Sequence, residues 1–201
     1  MVLRRIFENQ NKGIYVDVGA HHPKRFSNTY FFYKKGWSGV NIDAMPGSMR
    51  LFNKWRPRDI NLEMGVGDKS DMLDYYVFNE PALNGFSADL SQMREQANNR
   101  YNIKEVIKVK VCPLREILAI HLVSSDIDFM SVDVEGFDLQ VLQSNDWSRY
   151  RPKFVLAEIL NSSMHSLGGD PVVQFMAEKN YLIYAKQVNT IFFQDASIAQ
   201  I

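Results

Sequence analysis

Four acidic residues stand where apolar runs stop: Asp17 after IYV, Asp43 after VNI, Asp133 after FMSV and Glu158 after FVLA. An acid at the end of a buried strand points a carboxylate at whatever occupies that edge of the sheet. Gly19 and Ala20 follow the first of them, and small residues there let the backbone come close to a ligand. Asp43 is placed to accept both hydroxyls of a ribose, as the acid of a dinucleotide-binding unit does, or else to be a solvent-exposed turn residue. The glycine turn itself departs from GxGxxG, because His21 and Lys24 stand where its second and third glycines would be. Close packing of a pyrophosphate therefore lacks its support. A nucleoside cofactor without pyrophosphate fits better, and S-adenosylmethionine is the candidate, since its sulfonium and amino groups are cationic and the rim is acidic.

The elements that must hold these residues alternate. Ile14 to Asp17, Ser38 to Asp43, Ile60 to Met64, Ile127 to Asp133, Phe154 to Glu158, Tyr181 to Ala185 and Thr190 to Phe193 read as strands. Helices are expected between them. Ser27 to Lys35 takes Ser27 or Asn28 as its cap, and Pro46 to Trp55 aligns Met49, Phe52 and Trp55; others run through Leu139 and Leu142 and from Val172 to Lys179. After the third strand the rhythm breaks into a β-rich insertion, Met72 to Phe78 with Glu105 to Val111, interrupted by a polar surface helix at Asp89 to Arg100 and followed by a short helix at Pro113 to Leu118. Strands joined through helices imply parallel pairing with right-handed crossovers, hence a three-layer α/β sandwich with its ligand beyond the carboxyl ends of the strands.

Composition narrows the function. The chain has 201 residues, 46% of them hydrophobic, which suits one domain spanning residues 1–201. Lysine plus arginine and aspartate plus glutamate number 23 each, so no bulk positive field favours nucleic acid. Cys112 is the only cysteine, which excludes an internal disulfide and a cysteine zinc cluster and agrees with a reducing compartment. It reads as a small buried residue. No segment approaches a membrane span, so the expectation is a cytoplasmic protein.

The segments YVDVGAHHPKRFSNTYFFYKKGWSGVNIDAMPG and IDFMSVDVEGFDLQVLQS resemble the FkbM family of class I S-adenosylmethionine-dependent methyltransferases, from about Ile14 to Glu158. The resemblance implies a Rossmann-like fold with a mostly parallel seven-stranded sheet and O-methylation of a sugar, glycan or other small-molecule hydroxyl. Carried over by motif, Asp17, Gly19, Ala20 and His21 would line the methionine moiety with Ser27 and Asn28 beside it, and Asp43 with Ala44 would hold the ribose. Gly67 and Asp68 of GVGDKSD would border adenine, Asp68 accepting from its exocyclic amine. Asp133, Val134 and Glu135 of DVEG would lie where donor and acceptor meet. The chain departs from the family pattern at His21, His22 and Pro23, where Asn and Gly are frequent.

Methyl transfer to an alcohol is helped by a base, for which Glu135 is the first choice and Asp133 the second, unless DVEG merely caps the next helix. Asp133, Glu135 and Glu158 are also a hard-oxygen set that would suit Mg2+, the alternative being no metal at all. Asn161 and His165 follow Glu158 on a loop; His165, His21 and His22 are either catalytic or surface groups. A cofactor-binding subunit without turnover, and a nicotinamide oxidoreductase, are the competing functions. Oligomeric state is open.

Overall fold

The computed structural model describes residues 2–97, 100–122, 124–160 and 163–199. In chain order the elements are α1 (Val2–Ile6), β1 (Ile14–Val18), α2 (Tyr30–Lys34), β2 (Ser38–Asp43), α3 (Met49–Trp55), β3 (Ile60–Glu63), β4 (Gly65–Val66), β5 (Asp71–Phe78), α4 (Ala88–Ala97), β6 (Ile103–Cys112), α5 (Leu114–His121), β7 (Phe129–Val132), α6 (Asp138–Gln143), β8 (Phe154–Glu158), α7 (Pro171–Glu178), β9 (Tyr181–Gln187) and β10 (Thr190–Asp195). The main sheet has seven strands in the order β3-β2-β1-β7-β8-β10-β9, and only β10 runs against its neighbours.

Alternation along β1 explains the layers. Val16 and Val18 turn to one face and join Leu114, Ile117, Val141 and Met176 of α5, α6 and α7. Tyr15 turns to the other and joins Leu3, Phe32, Tyr33 and Phe129, under α1 and α2. The aromatic run of α2 is thus packing, with Phe32 and Tyr33 buried.

Four local expectations change. The helix expected from Ser27 begins at Tyr30: the Ser27 hydroxyl accepts from the Tyr30 N–H at 3.0 Å, while the Asn28 amide reaches across to Ser131 Oγ at 3.1 Å. Trp55 does not join Met49 and Phe52 in the core; it is 47% exposed, with Lys24 Nζ 3.0 Å from its ring centre. The third strand does not simply end at Gly65. There the chain leaves the main sheet and Gly65–Val66 pairs with β6, making a second sheet of order β4-β6-β5. A Cβ at Gly65 would lie 2.5 Å from the end of the Phe86 ring and 2.7 Å from a Val111 methyl, so a larger residue there would push both side chains back. Cys112 is half-buried, its Sγ 3.2 Å from Ser70 Oγ.

Beneath α2 and α3 lies a buried polar network that the sequence did not announce. Arg56 and Asp59 are ion-paired at 2.7 Å with both side chains at 0% exposure. Arg56 also donates to Tyr15 OH at 2.8 Å and Thr29 Oγ1 at 2.9 Å; Asp59 accepts from Gly39 N, Asn41 Nδ2 and Tyr15 OH. Thr29 in turn donates to Asp17 at 2.6 Å, so the network runs from the far end of β3 to the carboxyl edge of β1. Deleting one partner of such a pair strands a charge in low dielectric, at a cost of about 3 to 5 kcal/mol. Asp59→Ala is therefore expected to lower unfolding stability by about that much in urea titration, with Arg56→Ala similar and the double variant recovering part of the loss. A urea midpoint unchanged by either single substitution would contradict the network's role.

Candidate active site

At the carboxyl edge of β1, β2 and β7 the structure holds a cavity of about 400 Å³, a volume in the range of small-molecule sites. Asp17, Gly19, Ala20, His21, Ser27, Asn28, Asp43, Ala44, Asp133, Val134 and Glu135, all singled out in the sequence, line it. Gly67 and Asp68 do not: Asp68 is exposed, and the wall on that side is made by Met64, Gly65 and Val66, because the chain has already turned into the second sheet. Tyr75, Asn84 and Phe86 of the insertion complete the wall.

A carboxylate ties the turn after β1. Asp43 accepts from His21 N at 2.7 Å and Met45 N at 2.9 Å, one bond to each oxygen, which pins the turn after β1 to the end of β2. Gly19 carries φ +80°, and a Cβ there would sit 1.9 Å from the Asp133 carbonyl oxygen, so the ends of β1 and β7 can approach only through glycine. Three residues without that freedom, His21, Phe26 and Glu135, also hold positive φ, at 53°, 56° and 55°. Strained conformations gather at sites that the surrounding structure over-determines. His22 is spent on the same turn, its Nδ1 accepting from Lys24 N and Arg25 N; burial and the neighbouring His21, Arg25 and Lys24 lower its pKa, which keeps that nitrogen free to accept. His165 is exposed outside the cavity, and Asn161 lies outside the described residues.

The acids at the DVEG turn crowd one another. Glu135 is ion-paired with Arg94 of α4, which also donates to Leu83 O at 3.2 Å, so the polar helix of the insertion reaches the site. Asp133 is exposed where it opens onto the cavity, yet the protein packed around its carboxyl, with Glu135 and Asp17 nearby, raises its pKa to about 7. Burial, then Asp133 and Glu135, raise Glu158 to about 8, and its Oε2 is buried without a partner. Behind them Asp138, pushed well above the ordinary carboxylate range by burial, accepts from Gly136 N and Glu158 N at 3.3 Å each and joins the turn to the end of β8. Ligand oxygens of Asp133, Glu135 and Glu158 lie within 4.8 Å of one another.

A carboxyl with a raised pKa stabilises the fold below its unfolded value and loses that contribution as pH rises through the folded one. Glu158→Gln removes the penalty of ionisation, so its melting temperature should match the parent near pH 4, exceed it by a margin that grows between about pH 5 and pH 8, and keep a constant lead above that. A constant offset from about pH 4 to pH 8 would show that Glu158 does not titrate there.

The Methyltransferase FkbM domain model matches residues 17–183. Among solved structures, the methyltransferase FkbM from Methylobacillus flagellatus KT superposes with a TM-score of 0.55 at 12% identity, covering 92% of this chain and 44% of that one. At that identity the likeness speaks for the fold, and this chain spans less than half of that neighbour's length. No curated protein matches. The extent of the domain match, from the acid of β1 to the middle of β9, places this chain in the FkbM methyltransferase domain family.

Proposed function

We propose that the cavity binds S-adenosylmethionine and that the chain, as a single domain working in the cytoplasm, transfers its methyl group to a hydroxyl of a small-molecule or glycan acceptor. One observation carries the reading: Asp17, Asp43, Asp133 and Glu135 face the cavity, while no lysine or arginine is among the described residues lining it. That lining favours a cationic nucleoside over a pyrophosphate, and so disfavours a nicotinamide dinucleotide. The residues present fit such a ligand. Each Asp43 oxygen accepts one backbone N–H and keeps a second acceptor site for a ribose hydroxyl. The Gly19 turn leaves room where any side chain would collide.

When bound, the cofactor supplies a methyl group already activated by sulfonium, so what the protein adds is alignment and removal of the acceptor proton. We take the two candidate bases in the reverse order. Glu135 is held by Arg94, whereas the Asp133 carboxyl faces the cavity with a pKa of about 7, where a general base works near neutrality. In this reading Glu135 and Arg94 position the turn and Asp133 takes the proton. A second reading has support in the unpartnered Glu158 Oε2: Asp133, Glu135 and Glu158 would hold Mg2+ through hard oxygens, with Glu135 exchanging Arg94 for the ion, and the ion would acidify the acceptor hydroxyl. A cofactor-binding subunit without turnover would keep the cavity and show no product with any acceptor.

Asp43→Ala is expected to weaken S-adenosylhomocysteine binding by about 1 to 3 kcal/mol in calorimetric titration, the scale of a lost charged acceptor. Equal affinity would remove Asp43 from the pocket. Asp133→Asn should cut turnover at least tenfold with cofactor affinity nearly kept, and should abolish a rise in rate as pH passes through about 7. If the parent loses activity to a chelator and regains it with Mg2+, the metal reading replaces the proton-transfer one.

A further inference from the structure

The chain is neutral as a whole, but its charges are sorted. From Val18 to Asp59 there are eight lysines and arginines and two acids, Asp43 and Asp59, both buried; Arg56 is spent on Asp59, which leaves seven cations. β1, β2 and β3 step in one direction across the sheet, so the right-handed crossovers α2 and α3 lie on the same face. Arg58 ties the two together by donating to Tyr33 O and lying 4.0 Å from the Tyr33 ring centre. Lys24 ties the turn after β1 to α3 through its contact with Trp55.

This basic layer also shows apolar groups to solvent. Phe26 is 81% exposed at the cavity mouth, and Leu51 and Trp55, one turn apart on α3, are 42% and 47% exposed. Around them Arg25, Arg50 and Lys54 are exposed, and none has an acidic partner among the described residues. We propose that this face, the turn at residues 21–26 together with α3, docks the protein on an anionic lipid surface with the cavity mouth at the bilayer plane. Tryptophan and phenylalanine settle at the headgroup level, leucine enters the acyl boundary, and lysine and arginine stems lie along it with their charges on lipid phosphates. A nucleic acid would satisfy the charges and stack a base on Phe26 or Trp55, but it gains nothing from Leu51. The consequence is an enzyme whose acceptors are presented at a membrane surface. The surface is separate from the cavity's carboxylates, so this proposal and the methyl-transfer reading fail separately.

Flotation of the full chain with phosphatidylcholine vesicles, with and without phosphatidylglycerol, tests it. The expected result is capture only by the anionic vesicles, loss of capture as salt is raised, and weakening by about tenfold or more in the Arg50→Glu/Lys54→Glu variant. Trp37 and Trp147 are buried at 0% and 8% exposure, so a blue shift of tryptophan emission on binding would report Trp55. Leu51→Ser should weaken capture too, with far-UV spectrum and S-adenosylhomocysteine affinity unchanged in both variants. No capture by either vesicle, equal capture by both, or retention only on a single-stranded oligonucleotide would overturn the proposal.

Discussion

The ion pair between Arg56 and Asp59 is the constraint on which the rest of the molecule leans. Neither side chain touches solvent, so each must find its hydrogen bonds inside, and the partners it finds belong to β1, β2 and the approach to α2. Those bonds fix how three strands and a helix meet. A buried pair contributes little net stability against apolar residues of the same size, and its value here is geometric: it dictates one arrangement and makes others costly. Through Thr29 that dictation reaches Asp17, and so the wall of the cavity.

The carboxyl edge is organised by the same logic with the opposite sign. Carboxylates at the ends of β1, β2, β7 and β8 are drawn together by strand order, and their mutual repulsion is eased by backbone N–H groups, by Arg94, and by holding protons at Asp133 and Glu158 near neutral pH. Asp138 closes the arrangement from beneath, where its two backbone bonds make β8 and the DVEG turn one unit.

The sheet was legible in the sequence because strand runs such as SGVNID and FVLAE are apolar, short and bounded by turn residues, and β2 and β8 have the expected limits. The acidic rim was legible for the same reason, since a residue at a strand end has its direction set by the strand. What failed depended on tertiary contact. Asp68 belongs to a turn whose place was decided by the exit at Gly65, invisible until Phe86 is seen packing there. Arg94 sits in a helix with the polarity of a surface element, and nothing local says that it reaches Glu135. Arg56, preceding a proline, looks like any exposed arginine.

Asp133 and Glu158 hold their protons near neutrality because burial, and then like charges, disfavour their ionised forms, and that balance responds to whatever enters. A cation seated beside them would pull their titrations downward and expel protons to the buffer; by thermodynamic reciprocity, alkaline solution would tighten its grip. The heat of loading would then vary with the buffer's own ionisation enthalpy, so that ligand uptake at this rim is also an acid release.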